Sequence, residues 1–342
     1  MIDAPPRQAV ASSLRNATHC MQPAATNELH DASSTATLDP DEVEGAVADA
    51  TMPAPPAVRE PIDWLRIWPF LLLQALCGLV VWVGWSPVAV IVCIALYVVR
   101  MFGITAFYHR YFSHRTFRAG RIVQFAGAAL AASAVQRGPL WWAAHHRKHH
   151  RHSDTALDAH SPHAHGFLWS HIGWIAARKN HPTDLSQVPD FAVFPELRWL
   201  DRFDLLVPFA LLGALLGLGA ALEQWAPELG TSALQMGVWG FCISTTLLFH
   251  ATASINSLAH LIGRRVWPTK DKSKNSFVLA VLTLGEGWHN NHHWCPGTVR
   301  QGFRWWEIDI SFYVLRVMSW VGLVSDLRPM PARALANSRR VG

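Results

Sequence analysis

From Ile67 to Trp85 the chain reads IWPFLLLQALCGLVVWVGW, a stretch without one charged residue. Wound as a helix at 1.5 Å per residue, it covers a hydrocarbon core of roughly 30 Å, which predicts a first membrane span. A Ser86-Pro87 break follows, and Val88 to Phe107 forms a second apolar stretch interrupted by Arg100, whose long stem can snorkel towards the headgroups. Leu205 to Leu222 and Leu234 to Phe249 form another pair, joined by a short acidic connection containing Glu223 and Glu228. The pattern predicts two helical hairpins. Ile122 to Val135 is apolar as well, but it is only about fourteen residues long and runs into Gln136, Arg137 and a Gly138-Pro139 break. That length suits an interfacial or capping helix.

Composition agrees with a membrane protein: 342 residues, 51% hydrophobic and only 15% charged. Residues 1–60 are rich in Ala, Pro, Ser, Thr and acid and show no hydrophobic period, which predicts a disordered tail; residues 61–330 form one membrane domain and 331–342 a short C-terminal tail. No basic start with an apolar core precedes Ile67, so no secretory signal is expected.

The net charge is +5, and since the tail carries about six net negative charges the body carries about eleven net positive. Twelve Lys and Arg residues lie between His109 and Asp204, and the hairpin tips contain none. By the positive-inside rule this places the His109–Asp204 segment, both termini and the region around Arg264, Arg265 and Lys270 in the cytoplasm. The five cysteines are scattered without a CxxC pair and three sit in apolar runs, so no disulfide framework is indicated. No nucleic-acid partner is expected.

Nineteen histidines are the anomaly, and nine of them fall in spaced clusters: His109 and His114; His146, His149 and His150; His260, four residues after Asn256; and His289, His292 and His293. Offsets of three and four residues share one face of an α-helix, so His146, His149 and His150 can point together, as can His289, His292 and His293. An offset of five shares a face less well, which places His109 and His114 where the second span ends and its winding relaxes. Each cluster stands at the end of an apolar run, unlike a contiguous histidine tract. Nine histidines with Asn256 exceed the needs of one four-coordinate zinc, and no cysteine set or HExxH frame accompanies them, so an imidazole-rich two-metal site is indicated. Iron is the leading candidate; ligand type alone leaves zinc and copper open.

The segments HRYFSH (His109 to His114), HRKHH (His146 to His150), NSLAH (Asn256 to His260) and GEGWHNNHH (Gly285 to His293) resemble the histidine boxes of membrane fatty-acyl desaturases of the stearoyl-CoA desaturase type. GFLWSHIGW (Gly166 to Trp174) is similar to a further segment of that family. The resemblance spans roughly residues 62–324 and implies an all-α integral membrane protein, four transmembrane helices in two hairpins with a cytosolic helical cap holding a dimetal site. It implies two Fe ions that use O2 to place a cis double bond, possibly at delta-9, in a saturated acyl chain. Carried over by residue, one iron falls to His109, His114, His146, His150 and His292, and the other to His149, His260, His289 and His293, with Asn256 acting through a water. His171 is read as orienting ligands, and Arg178, Lys179 and Trp142 as substrate contacts.

Two departures from the family concern the substrate's head group. Ala144 and His145 stand where the animal acyl-CoA enzymes carry an Arg-Asp pair, and Ala253 replaces a Trp. An acyl-CoA thioester is preferred, with acyl carrier protein and phospholipid substrates left open. No cytochrome b5 module is visible, so electrons are expected from a separate ferredoxin, rubredoxin or cytochrome b5 with a reductase. The alternatives are a hydroxylase or monooxygenase using similar boxes and, from another class, a histidine-rich metal transporter, which would carry its ligands at the bilayer midplane.

Overall fold

The structure, a computed structural model, describes residues 61–332. The expected tails, 1–60 and all but the first two residues of 331–342, lie outside that range. Four helical stretches are long and apolar enough to cross a membrane: Trp64–Val83, Pro87–Ser113, Leu206–Trp225 and Ala233–Leu261. The chain is an all-helical integral membrane protein, and the four spans fall where the apolar runs placed them. Their outward faces are apolar, with Trp82 79% and Ile91 65% exposed, as lipid-facing side chains are.

The first span opens with α1 (Trp64–Leu76), and a turn at Gly84, with φ +64, leads to α2 (Pro87–Phe102). Ser86 starts α2 as the sequence suggested: its hydroxyl accepts from the Ala89 amide at 3.2 Å, and Pro87 occupies the first turn, where no N–H is needed. The two hairpin tips are tied to each other. Thr231 Oγ1 donates to Ser86 Oγ at 2.8 Å, Gln235 Nε2 to Val83 O at 2.8 Å and Trp239 Nε1 to Gly84 O at 2.9 Å.

Arg100 departs from expectation. It does not snorkel but is 1% exposed inside the bundle, where its guanidinium donates to Leu96 O at 3.1 Å, Ser133 O at 3.2 Å, Thr245 Oγ1 at 2.8 Å and Ser244 Oγ. A buried charge is tolerable only with its donors satisfied, and the planar five-donor fork is the side chain suited to four oxygens at once.

After Phe102 the second span changes winding and continues as a π-helix over Gly103–Ser113. An eleven-residue π stretch is unusual, since such geometry normally occupies one turn. It is held from the side by α3 (Arg121–Ala132), the short apolar helix that does not span. At Gly103 the two backbones come so close that a Cβ would sit 3.0 Å from the Ala131 nitrogen. α4 (Pro139–His152) follows and packs on the π segment. The third span is α5 (Leu206–Trp225), and the fourth contains α6 (Ser244–Asn256). Beyond it, the loop to α7 (His289–Trp294) is held to that helix by the stacked rings of Trp267 and Trp294, 4.0 Å apart. α8 (Ile310–Trp320) leads to a two-residue strand, Val324–Ser325, antiparallel to Arg118–Ala119. Among the described residues Cys77, Cys93 and Cys242 are free thiols.

Candidate metal centre

The π winding explains the first histidine pair. In a π-helix the amide bonds back five residues, and the His114 amide donates to the His109 carbonyl at 3.2 Å. An offset of five therefore comes close to one turn here, and the two rings stand 4.9 Å apart. On α4 and α7 the α period operates instead. The trios do not point together as the offsets suggested: each helix sends its i,i+4 pair to one group and its remaining histidine to the other.

The groups are His109, His114, His146, His150 and His292, and His149, His260, His289 and His293; within each, the ligating atoms all lie within 4.8 Å of one another. Their membership coincides with the division the resemblance implied. In the first group Nε2 atoms approach at 3.0 Å (His109 and His292), 2.8 Å (His114 and His146) and 2.9 Å (His150 and His292). In the second, His260 and His289 approach at 3.1 Å and His149 and His293 at 3.4 Å. Donors about 2.1 Å from an ion and at right angles around it are about 3 Å apart, so the spacing fits a coordination polyhedron.

Burial favours the neutral form of five of these rings. His114, His146, His150, His289 and His292 are held well below the ordinary histidine range by loss of water first and then by neighbouring imidazoles. Neutral imidazoles are the form that ligates.

Behind the rings stand carboxylates that the sequence reading did not single out. His149 Nδ1 donates to Asp158 at 2.9 Å, His260 Nδ1 to Asp154 at 2.8 Å, His293 Nδ1 to Asp271 at 2.9 Å and His109 Nδ1 to Glu286 at 2.5 Å. Each such bond fixes the proton on Nδ1 and turns the Nε2 lone pair inward. Burial works against the Asp154 carboxylate, yet His260 brings it down to about 2. Asp158 and Asp271 are held lower still, by His149 and His293 against the cost of burial. Arg110, 1% exposed, bridges Glu286 at 2.8 Å and Asp309 at 3.0 Å, so the residue after His109 locks α7's approach to the second span.

The other sequence candidates are placed differently. Trp142 stacks on His146, with centroids 5.1 Å apart. It shares with Asn256, Met101, Ile104 and Ile255 the lining of a narrow cavity that reaches His109, His146 and His289. His171, expected to orient ligands, touches none of the nine: Nδ1 meets Ser257 Oγ at 2.9 Å and Nε2 meets His250 at 3.0 Å, and beside it Ser170 Oγ donates to the Asn256 carbonyl at 3.2 Å. Its segment braces the chain at Asn256 rather than a ligand ring. Arg178 is largely exposed and faces Asp63 at 3.5 Å, with Lys179 beside it in the same short turn. His145 lies tilted against Trp141 with ring centroids 4.3 Å apart, and His160 is buried and stacked 4.5 Å from His149. The acidic partners had a sequence signal: Asp154 and Asp158 follow the second cluster within eight residues, and Glu286 lies three before His289.

A family model described as fatty acid desaturase matches residues 84–316, which contain both groups. The chain belongs to this family. Curated members agree: it is 34% identical over 278 residues to the sn-2 palmitoyl-lipid 9-desaturase of Nostoc sp. (strain 36), covering 79% of this chain and 92% of that one. It is also 34% identical over 272 residues to the acyl-CoA 5-desaturase AL21 of Anemone leveillei, covering 78% and 73%, and 35% identical over 253 residues to the delta-9 acyl-lipid desaturase 2 of Arabidopsis thaliana, covering 71% and 75%. As a desaturase-family protein the chain is an oxidoreductase with a histidine-rich candidate metal site. Sites at span ends and in the cap, rather than at the midplane, separate it from a transporter.

Proposed function

We propose that this desaturase-family chain is an O2-dependent di-iron enzyme that inserts a cis double bond, at delta-9, into a saturated acyl chain carried as a CoA thioester. The observation that carries the reading is the convergence of two imidazole groups on one apolar cavity. A saturated methylene offers no acidic proton and no polar handle, so general acid-base chemistry has nothing to grip. Iron and O2 supply the oxidising power there. In the balance, two hydrogens leave adjacent carbons, and O2 with two electrons and two protons ends as two waters.

The chain's own residues bind and align. His109, His114, His146, His150 and His292 are assigned to one iron; His149, His260, His289 and His293 are assigned to the other, with Asn256 through a water. Glu286, Asp158, Asp154 and Asp271 hold the Nδ1 protons of their imidazoles. Met101, Ile104 and Ile255 exclude water beside the acyl chain, and Trp142 fixes the His146 face. Electrons come from a separate acidic ferredoxin, rubredoxin or cytochrome b5 docking on the basic face, which the positive-inside rule puts in the cytoplasm with both termini.

Exposed Arg178 with Lys179 supports the thioester, whose phosphates need charge-assisted partners. A phospholipid acyl chain is the second reading, favoured because His145 is half-buried against Trp141 where the animal acyl-CoA enzymes carry a charged pair. Purified protein given acyl-CoA and phospholipid side by side with a working donor decides: conversion of the thioester, lost when Arg178 and Lys179 are both replaced by Ala while metal content is unchanged, is the expected result. Conversion of phospholipid alone would overturn the thioester, and a hydroxylated product would overturn desaturation.

A further inference from the structure

The two histidine groups differ in what stands behind them. In the His149 group three of four imidazoles donate Nδ1–H to a carboxylate, Asp158, Asp154 and Asp271, each at 2.8–2.9 Å. Those carboxylates take their other hydrogen bonds from neutral groups: Asp158 from the Asp154 and His160 amides, Asp154 from Ser161 Oγ and the Lys272 amide, and Asp271 from the Ser273 amide. Three negative charges therefore lie one hydrogen bond beyond the ligating nitrogens. In the His109 group the carboxylate found is Glu286, and its other oxygen is paired with Arg110 at 2.8 Å, which offsets its charge. The Nδ1 of His292 is buried with no hydrogen-bond partner among the described residues, as is that of His289, the one unbraced member of the other group.

Two effects follow, and they act in the same direction. A carboxylate behind a ligating imidazole sets its tautomer and raises its basicity, and losing one such partner typically costs 10–100-fold in metal affinity. The unpaired anions also lower the energy of a cation in an interior where charge is poorly screened. The opposing term is the fifth imidazole of the His109 group. Four of its five rings lack a carboxylate hydrogen bond among the described contacts, so part of the binding energy of that extra donor goes into ordering the rings.

We infer that the two sites hold metal unequally, the His149 group keeping its ion at least about tenfold more tightly than the His109 group. The inference rests on the two-metal reading above. The test strips full-length protein, as purified in lipid nanodiscs, with dipicolinate and follows metal per chain by plasma mass spectrometry against time. Metal should fall from two to one in a fast phase and from one to none at least about tenfold more slowly. Asp158→Asn and Asp271→Asn should each speed the slow phase by about 10–100-fold, while Glu286→Gln should leave it unchanged. The wild-type time course tests the inference even where a variant does not fold. A single phase from two to none overturns the inference and leaves the two-metal reading standing, as does a slow phase that responds to Glu286→Gln and to neither Asp variant. Protein that never carries more than one metal overturns both.

Discussion

Gly127 makes room for Phe107: a Cβ on that glycine would fall 2.0 Å from Cδ1 of the ring. The contact pins α3 against the π segment two residues before His109, so the winding that aligns His109 with His114 depends on an absent side chain on another helix.

Gly127→Ala should therefore displace Phe107 and the π segment. The expected loss is about 1–3 kcal/mol in unfolding free energy, typical of overpacking, together with reduced metal content. Thermal unfolding and metal analysis of the same preparation check it; a variant with full stability and metal would show that the close approach does not set the winding.

Metal content is the direct measure of the paired groups. Active protein should carry about two irons per chain, and His149→Ala and His293→Ala should each lower that number along with activity. One zinc with no iron, or full activity in both variants, would contradict the di-iron assignment.

Acid should destabilise the metal-free protein. The lowered values of His114, His146, His150, His289 and His292 mean that near pH 6.5 the unfolded chain takes up protons at these positions while the folded chain does not. Their contribution is fully present above about 6.5 and is lost as pH falls, by up to about 1.4 kcal/mol per pH unit for each group. His149 has the opposite sign, because Asp158 holds it above the ordinary value against burial, but it is one group against five. Asp154 and Asp158 are depressed, and their stabilisation fades only below about pH 4, outside this window. The melting temperature of chelator-stripped protein should thus drop between pH 7.5 and 5.5; a rise would refute the sign.

Arg100→Lys should destabilise the bundle more than Arg100→Met. Lysine keeps the buried charge and loses the fork that reaches Ser133, Ser244 and Thr245, whereas methionine removes the charge and fills much of the volume. Denaturant titration in detergent of the two variants orders them, and the reverse order would show that the fork is dispensable.

Reporter fusions after Glu228 and at Gly342 should report opposite sides of the membrane, since the second hairpin tip lacks Lys and Arg and the region beyond the fourth span is rich in them. Agreement between the two reporters would sink the orientation.

The spans were legible because hydrophobic length needs no tertiary information, and the clusters on α4 and α7 because their offsets match the α period. His109 and His114 resisted the same arithmetic. Their offset comes close to one turn only in a π-helix, and that winding rests on packing at Gly103 and Gly127, which no local pattern encodes. Arg100 was misjudged for a similar reason: its oxygens come from Ser133, Ser244 and Thr245, far along the chain. Asp271 sits 22 residues before its histidine, in a loop without periodicity.

The bonds from Thr231 to Ser86 and from Gln235 to Val83 give the bundle a fixed heel. With the tips fastened there, and Arg100 of the first hairpin held by Ser244 and Thr245 of the second farther along, the two hairpins are riveted at two levels, so the histidine end rests on a bundle already closed beneath it.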